Sequence, residues 1–168
     1  MNPAPWTGIA ICLEAVCRVP ARSAPHSSVK ACERQRMPQP PYWLDREGRA
    51  AVLTALRGHC VHRGWSLLAA HVRTNHVHAI VEADVRPEKI MNEFKSYASR
   101  ELNRLDRDGP DRKRWARHGS TRWLWKDEDL QHAIKYVAGE QGEPMALFIA
   151  ETLLMVSAPS RSRLGMKP

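Results

Sequence analysis

Two strand-like runs, WSLLAAHVR (65–73) and HVHAIVEA (76–83), stand only Thr74 and Asn75 apart. A connection that short joins strands only as an antiparallel hairpin, because a parallel pair needs a crossover of roughly a dozen residues. Asn75 suits the turn, since asparagine tolerates a positive φ. An amphipathic helix is expected on each side of the hairpin. From Asp45 to Arg63, Ala51, Val52, Leu53, Ala55, Leu56 and Cys60 share one helical face, with Arg46, Arg49, Arg57 and Arg63 mostly elsewhere. Asp45 is placed to cap that helix and Gly64 to stop it. A second helix is expected from Pro87 to Leu105, with Ile90, Met91, Phe94, Tyr97, Ala98, Leu102 and Leu105 inward and Asp108-Gly109-Pro110 as its stop. A last one, capped by Asp127, runs from Glu128 to Gln141 with Leu130, Ala133, Ile134 and Val137 inward. Gly142 and Pro144 end it.

The segments flanking this core read differently. Residues 1–41 hold seven of the twelve prolines, a density that removes backbone donors and breaks helices and central strands. They are expected to form an irregular, Pro- and Cys-rich extension, in which GIAICLEAVCRV makes one strand or a short helix. Residues 42–142 form the expected folded domain. Residues 143–168 form an atypical tail whose apolar run, MALFIAETLLMV, is expected to pack as a helix or to serve as a dimer surface. The four cysteines, Cys12, Cys17, Cys32 and Cys60, have neither CxxC nor zinc-finger spacing. The opening lacks the positive region of a secretory signal, and no apolar run approaches the ~20 residues of a membrane span. A cytoplasmic protein with reduced thiols is expected, and no membrane partner. With 168 residues and a net charge of +8, one domain with a polyanionic partner fits best.

Three places carry chemistry. In Asn75-His76-Val77-His78, strand alternation projects both imidazoles to one face, where two ring nitrogens can meet one divalent cation. An isolated HxH is more often two half-exposed histidines on a polar sheet face. On the last helix Tyr136 and Glu140 are four residues apart and share a surface. A metal held by His76, His78 and Glu140 would stand beside the Tyr136 hydroxyl and favour its phenolate, a nucleophile toward phosphorus. The third place, RKRWARHGSTRWLWK (112–126), has six Lys and Arg, no acid and three tryptophans. Cations for phosphates interleaved with indoles for bases suit a single-stranded nucleic-acid groove. Its candidate contacts are Arg112, Lys113, Arg114, Arg117, Arg122, Trp123 and Lys126. Lys95 and Arg100 join them from the long helix, whose polar side also carries Lys89 and Arg104.

Taken together, AAHVRTNHVHAIVEA, FKSYASRELN, RHGSTRWLW and AIKYVAGEQG, in that order, resemble the single-tyrosine HUH transposases, which include insertion-sequence and REP-associated members. The resemblance spans roughly residues 41–146. It implies an α+β fold of the ferredoxin/RRM-like HUH type, an antiparallel sheet with helices packed on one face. It also implies Tyr136 as nucleophile, His76 and His78 as metal ligands, and Glu140, or alternatively Gln141, as a third. The implied cofactor is Mg²⁺ or Mn²⁺, and imidazole donors favour Mn²⁺ on softness grounds. The implied partner is a hairpin in single-stranded DNA, cut and rejoined through a 5′-phosphotyrosine. Insertion-sequence relatives tend to form homodimers, while REP-associated ones can act alone. Gly139, beside these residues, is expected to let the tyrosine helix hinge.

The chain departs from that family at its start, where relatives carry a clear first strand and this sequence has the proline-rich extension, and at its tail. The competing reading is a degenerate relative that binds structured single-stranded nucleic acid without cutting it. A Gly-rich phosphate loop and a GxSxG elbow are both absent, which excludes the usual NTP-hydrolysing and acyl-transfer classes.

Overall fold

The computed structural model describes residues 8–14, 39–109, 111–151 and 153. In chain order the elements are strand β1 (Gly8–Glu14), helix α1 (Arg46–Arg63), strands β2 (Ser66–Val72) and β3 (His76–Glu82), helix α2 (Pro87–Arg104), strand β4 (Ser120–Leu124), helix α3 (Asp127–Gly139) and strand β5 (Ala146–Ile149). The first six form the βαββαβ succession of the ferredoxin-like class, and the sheet order β4-β1-β3-β2-β5 is antiparallel throughout. The expected α+β architecture is the one the chain adopts.

Local signals account for the helix ends. The Asp45 side chain accepts the Gly48 N–H at 2.7 Å, a cap worth about 1 kcal/mol. That bond also holds the Asp45 carboxyl below its ordinary range. Gly64 closes α1 at φ 68°, in the left-handed region where glycine carries no Cβ penalty. Two expectations are corrected. Asp127 does not cap α3 but is its first residue; Lys126 holds the cap position without a side-chain bond. Asp127, Glu128 and Asp129 instead put negative charge on the positive end of the helix dipole. Asn75 takes no positive φ, because Arg73 N–H donates to His76 O at 2.9 Å and closes the turn without it.

One sheet face is covered by α1 and α2. Val77, Ala79 and Val81 of β3 meet Val52, Leu56 and Cys60 of α1 and Ile90, Phe94 and Ala98 of α2 in the larger core. Burial pushes the Cys60 thiol up to about 12, leaving it an apolar filler. The two long helices share one face and α3 lies on the other, so the expected packing of helices on one face holds for two of the three. There Leu130, Ile134 and Val137 pack on Leu68, Ala69, Ile80 and Leu124. Both faces of the central strands are consequently dry, which explains why β2 is buried from Leu67 to Val72 instead of alternating.

A β-bulge sets the facing of β2. Leu67 pairs with Val81 but Ala69 pairs with Ile80, so the strand gains one residue at Leu68. Because side chains alternate, that extra residue exchanges the two faces for everything after it. Without it His71 would point at α1; with it His71 stands opposite His78 on the α3 face.

The flanking segments contribute to the sheet: of the alternatives for GIAICLEAVCRV the strand is the one adopted, and the reading of the tail is corrected. The GIAICLE piece of the supposed irregular extension is β1, paired with β3 on one side and β4 on the other. The apolar run after Met145 is no helix at its start: Ala146–Ile149 pairs with β2 as an edge strand. Proline density obscures the first, since GIAICLE itself contains none. The second is too short to show a period. Cys17, Cys32, Pro110 and the tail beyond Leu153 lie outside the described residues. Among the described residues no helix is long and apolar enough to cross a membrane.

Candidate active site

The site is built on β3. Val77 is fully buried against the helices, so His76 and His78 emerge together on the α3 face. Their ring centroids are 4.9 Å apart. His76 Nδ1 meets Asn75 Oδ1 at 2.8 Å, and Nε2 faces Gln141 Oε1 at 3.5 Å. Burial, reinforced by the neighbouring His76 and His71, pushes His78 down to about 4. At neutral pH that ring is uncharged and keeps a lone pair for a cation.

Helix α3 brings in Tyr136. Leu130, Ile134 and Val137 face the sheet, and Tyr136 sits at the margin of that stripe, 46% exposed. Its ring meets His78 edge-to-face with centroids 5.6 Å apart, so the phenol and the two imidazoles share one surface.

The two candidates for the third ligand are placed apart. Glu140 is exposed at the helix C-cap and lines the cleft on the Tyr136 side. Among the described residues no group of three His, Cys, Asp or Glu side chains is placed to hold a metal. Gln141, the alternative, is the residue at His76. The reason is rotational: each residue turns the chain by roughly 100°, so Glu140 stays on the tyrosine's side while Gln141 swings across to β3. Gly139, the last helical residue, has no atom within 4 Å of where a Cβ would stand, so packing alone does not require glycine there.

Sequence reasoning missed His71. It is 1% exposed; its Nδ1 contacts the Val137 carbonyl at 3.1 Å and its Nε2 accepts the Met145 N–H at 3.1 Å. The second bond requires the proton on Nδ1, so the first is a donation from ring to carbonyl. Burial lowers the pKa of His71, partly offset by that carbonyl. The ring fastens the residue after Tyr136 to the sheet. Arg73 adds a bond to the Glu143 carbonyl at 3.1 Å, and Gly142 turns the chain at φ 81°. Together they seat the segment that carries Gln141. Nothing in the local pattern of β2 marks His71, because its facing depends on the bulge.

The candidate DNA contacts divide. Arg114 is corrected: it is buried, paired with Asp108 at 3.0 Å and bonded to Asn103 Oδ1 at 2.7 Å. Removing an arginine from water requires such partners, and here they come from the last turn of α2 and the segment after it. Arg112 binds the Pro40 and Pro41 carbonyls and lies over the Tyr42 ring. Lys95 reaches the Ala116 carbonyl at 3.0 Å. Lys113, Arg117, Arg122 and Lys126 are exposed, as is Arg100, whose guanidinium lies over Tyr97. Trp123 is half-buried and stacks on the exposed Trp125 at 5.2 Å, whereas Trp115 is half-buried and bonded to Ser99.

Arg122 also lines a cleft of about 510 Å³ that opens beside Tyr136 and His78, between α3 and the β3–β4 side of the sheet. The arrangement thus puts the phenol, the His78 imidazole and a cation around one depression, with His76 beside His78 and the Gln141 amide facing His76. That set is equipped to bind and rearrange phosphate esters.

A solved structure of a REP-associated tyrosine transposase bound to a REP hairpin is similar at 13% identity and a TM-score of 0.48, covering 79% of this chain and 64% of its own. The chain therefore spans somewhat less than two thirds of that relative. No curated protein matches. Residues 41–128, slightly more than half of the chain, match the sequence model of the IS200-like transposases. The matched stretch contains both histidines of the site, and the chain belongs to the IS200-like transposase family.

Proposed function

We propose that the chain cuts and rejoins single-stranded DNA next to a hairpin, with Tyr136 as nucleophile and one divalent ion as cofactor. The observation that carries this reading is the placement of the Tyr136 ring on the His78 ring, on the face where His76 and Gln141 also meet.

The residues fit a Mg²⁺ or Mn²⁺ ion. His76 Nε2, a ring nitrogen of His78 and Gln141 Oε1 would hold it, and two acceptors 3.5 Å apart are spaced as donors to a shared cation. As ligands all three carry no charge, so they would leave the positive charge of the ion undiminished toward a phosphate. When bound, the ion would polarise a phosphate oxygen and stabilise charge on the departing oxygen. The chain's own part is positional. The Asn75 contact orients His76, and His71 and Arg73 hold the chain on either side of Gln141.

Tyr136 gives up its proton and its Oη forms a bond to phosphorus while the P–O3′ bond breaks. The departing strand takes up a proton as a free 3′-hydroxyl, and the other strand is left as a 5′-phosphotyrosine. Attack by another 3′-hydroxyl reverses the exchange and releases the phenol. One phosphoester replaces another at each step, so no nucleotide triphosphate is consumed. Exposed Lys113, Arg117 and Lys126 would bind the backbone, and Trp125 presents an indole on which a base can stack.

The test is incubation of the full chain with labelled hairpin-bearing single-stranded DNA and Mn²⁺, followed by a denaturing gel and mass spectrometry. A nucleotide linked to Tyr136, absent in Tyr136→Phe, supports the reading. Hairpin binding without any adduct, surviving both Tyr136→Phe and His76→Ala, would overturn it in favour of a binding protein.

A further inference from the structure

The cleft beside Tyr136 is larger than a phosphate needs. At about 510 Å³ it falls among sites that hold small organic molecules, ~300–1,000 Å³. Among the described residues, its apolar lining comes from Ile80 and Leu124 of the sheet and Ala133 one turn before Tyr136. Its far wall carries two opposite charges, Arg122 from β4 and Asp129 from α3. They meet at 3.4 Å with the Arg122 side chain 69% exposed. An ion pair this long and this wet contributes little to stability, so both groups can be redirected to a ligand at small cost.

We propose that this cleft is a binding site for one unpaired nucleotide flanking the scissile phosphate, and that Asp129 selects a base carrying an exocyclic amine. This rests on the reading of Tyr136 as the reacting group. A strand presenting its phosphate to Tyr136 must place its neighbouring nucleotides against the walls of the same depression. The apolar lining accepts the face of the base, and Arg122 meets the phosphate. Asp129, an acceptor only when ionised, pairs with an amino group such as N4 of cytosine. Thymine offers O4 there, a second acceptor, and is rejected. A free nucleotide has the same chemistry, but the continuity of the cleft with Tyr136 favours a residue within a strand.

The experiment uses the full-length Tyr136→Phe chain, so that no cutting is required. 2-Aminopurine is walked through the single-stranded flank of a hairpin oligonucleotide, and fluorescence is read on binding. One position is expected to change sharply, and Ala133→Leu, which fills the cleft, is expected to abolish that change. At that position cytosine should bind at least tenfold more tightly than thymine, and Asp129→Asn should remove most of the preference. A flat scan, a response that survives Ala133→Leu, or equal binding of cytosine and thymine by the unsubstituted cleft overturns the inference. Failure of the wild-type chain to form an adduct, with the cleft-dependent signal intact, would instead remove the catalytic reading and leave the nucleotide site standing.

Discussion

His71 holds its place by two bonds and touches nothing that reacts. Its Nδ1–H donates to the carbonyl next to Tyr136, and its Nε2 accepts the Met145 N–H, so the imidazole sets where α3 ends relative to β3. His71→Leu is expected to lower the single-turnover rate of adduct formation by about tenfold or more, the scale of one misplaced group, while hairpin affinity stays unchanged. His71→Asn, whose amide can replace the Nδ1–H donor, should recover part of the rate. Equal loss in both variants, or a matching loss of hairpin affinity, would mean that the ring only supports the fold. The two candidates for third ligand separate in the same way. Gln141→Ala should weaken Mn²⁺ binding by calorimetry about tenfold, and Glu140→Ala should leave it within error. Stronger binding of Mg²⁺ than Mn²⁺ would speak against imidazole donors altogether. Sequence spacing places Glu140 with Tyr136, where it is found, but does not say which residue after Gly139 reaches His76.

At the level of elements, one residue in β2 decides the site. The bulge at Leu68 puts His71 and His78 on one face; regular pairing of the same residues would set His71 against Val77 and turn it toward α1. Deletion of Leu68 leaves Ala69 on Ile80 and His71 opposite His78, so adduct formation is expected to persist while the melting temperature falls with the loss of one buried leucine. Loss of adduct formation would show that the bulge itself, beyond the facing of His71, shapes the site. Helices α1 and α2, the β2–β3 hairpin and α3 are all legible, because each carries its own period, cap or stop. The bulge is not. Leu67-Leu68-Ala69-Ala70 is apolar throughout, and a run buried on both faces has no alternation to show where an extra residue enters.

For the whole molecule, the buried histidines tie stability to pH. His78 is pushed down to about 4 and His71 is lowered in the same direction, both chiefly by burial. The unfolded chain takes up protons on them below about 6.5, where the folded chain does not. Their contribution is complete above that pH and is lost as the pH falls toward 4, each ring costing at most ~1.4 kcal/mol for every pH unit crossed. The urea midpoint in metal-free buffer should therefore fall between pH 7 and pH 4.5, and less steeply in His78→Gln; parallel curves would contradict this assignment. Strand β1 also acts at this scale. It joins β3 to β4, so removing residues 1–14 should break the sheet beside the histidines and lower the melting temperature by several degrees. A truncated chain that melts with the full one would show that β1 adds nothing.

The sequence alone determined the elements that carry a local signature, and with them the HxH pair, the tyrosine and the family resemblance. Side-chain alternation and helical period are properties of a few consecutive residues, and they survive in a single string. Tertiary structure decided which apolar pieces complete the sheet, that Gln141 rather than Glu140 reaches His76, that Arg114 is buried, and that His71 belongs to the site. Each of those depends on contacts between residues far apart in the chain: His71 and Val137 are 66 positions apart. Their pairing follows from a strand register and a helix end that no local pattern encodes.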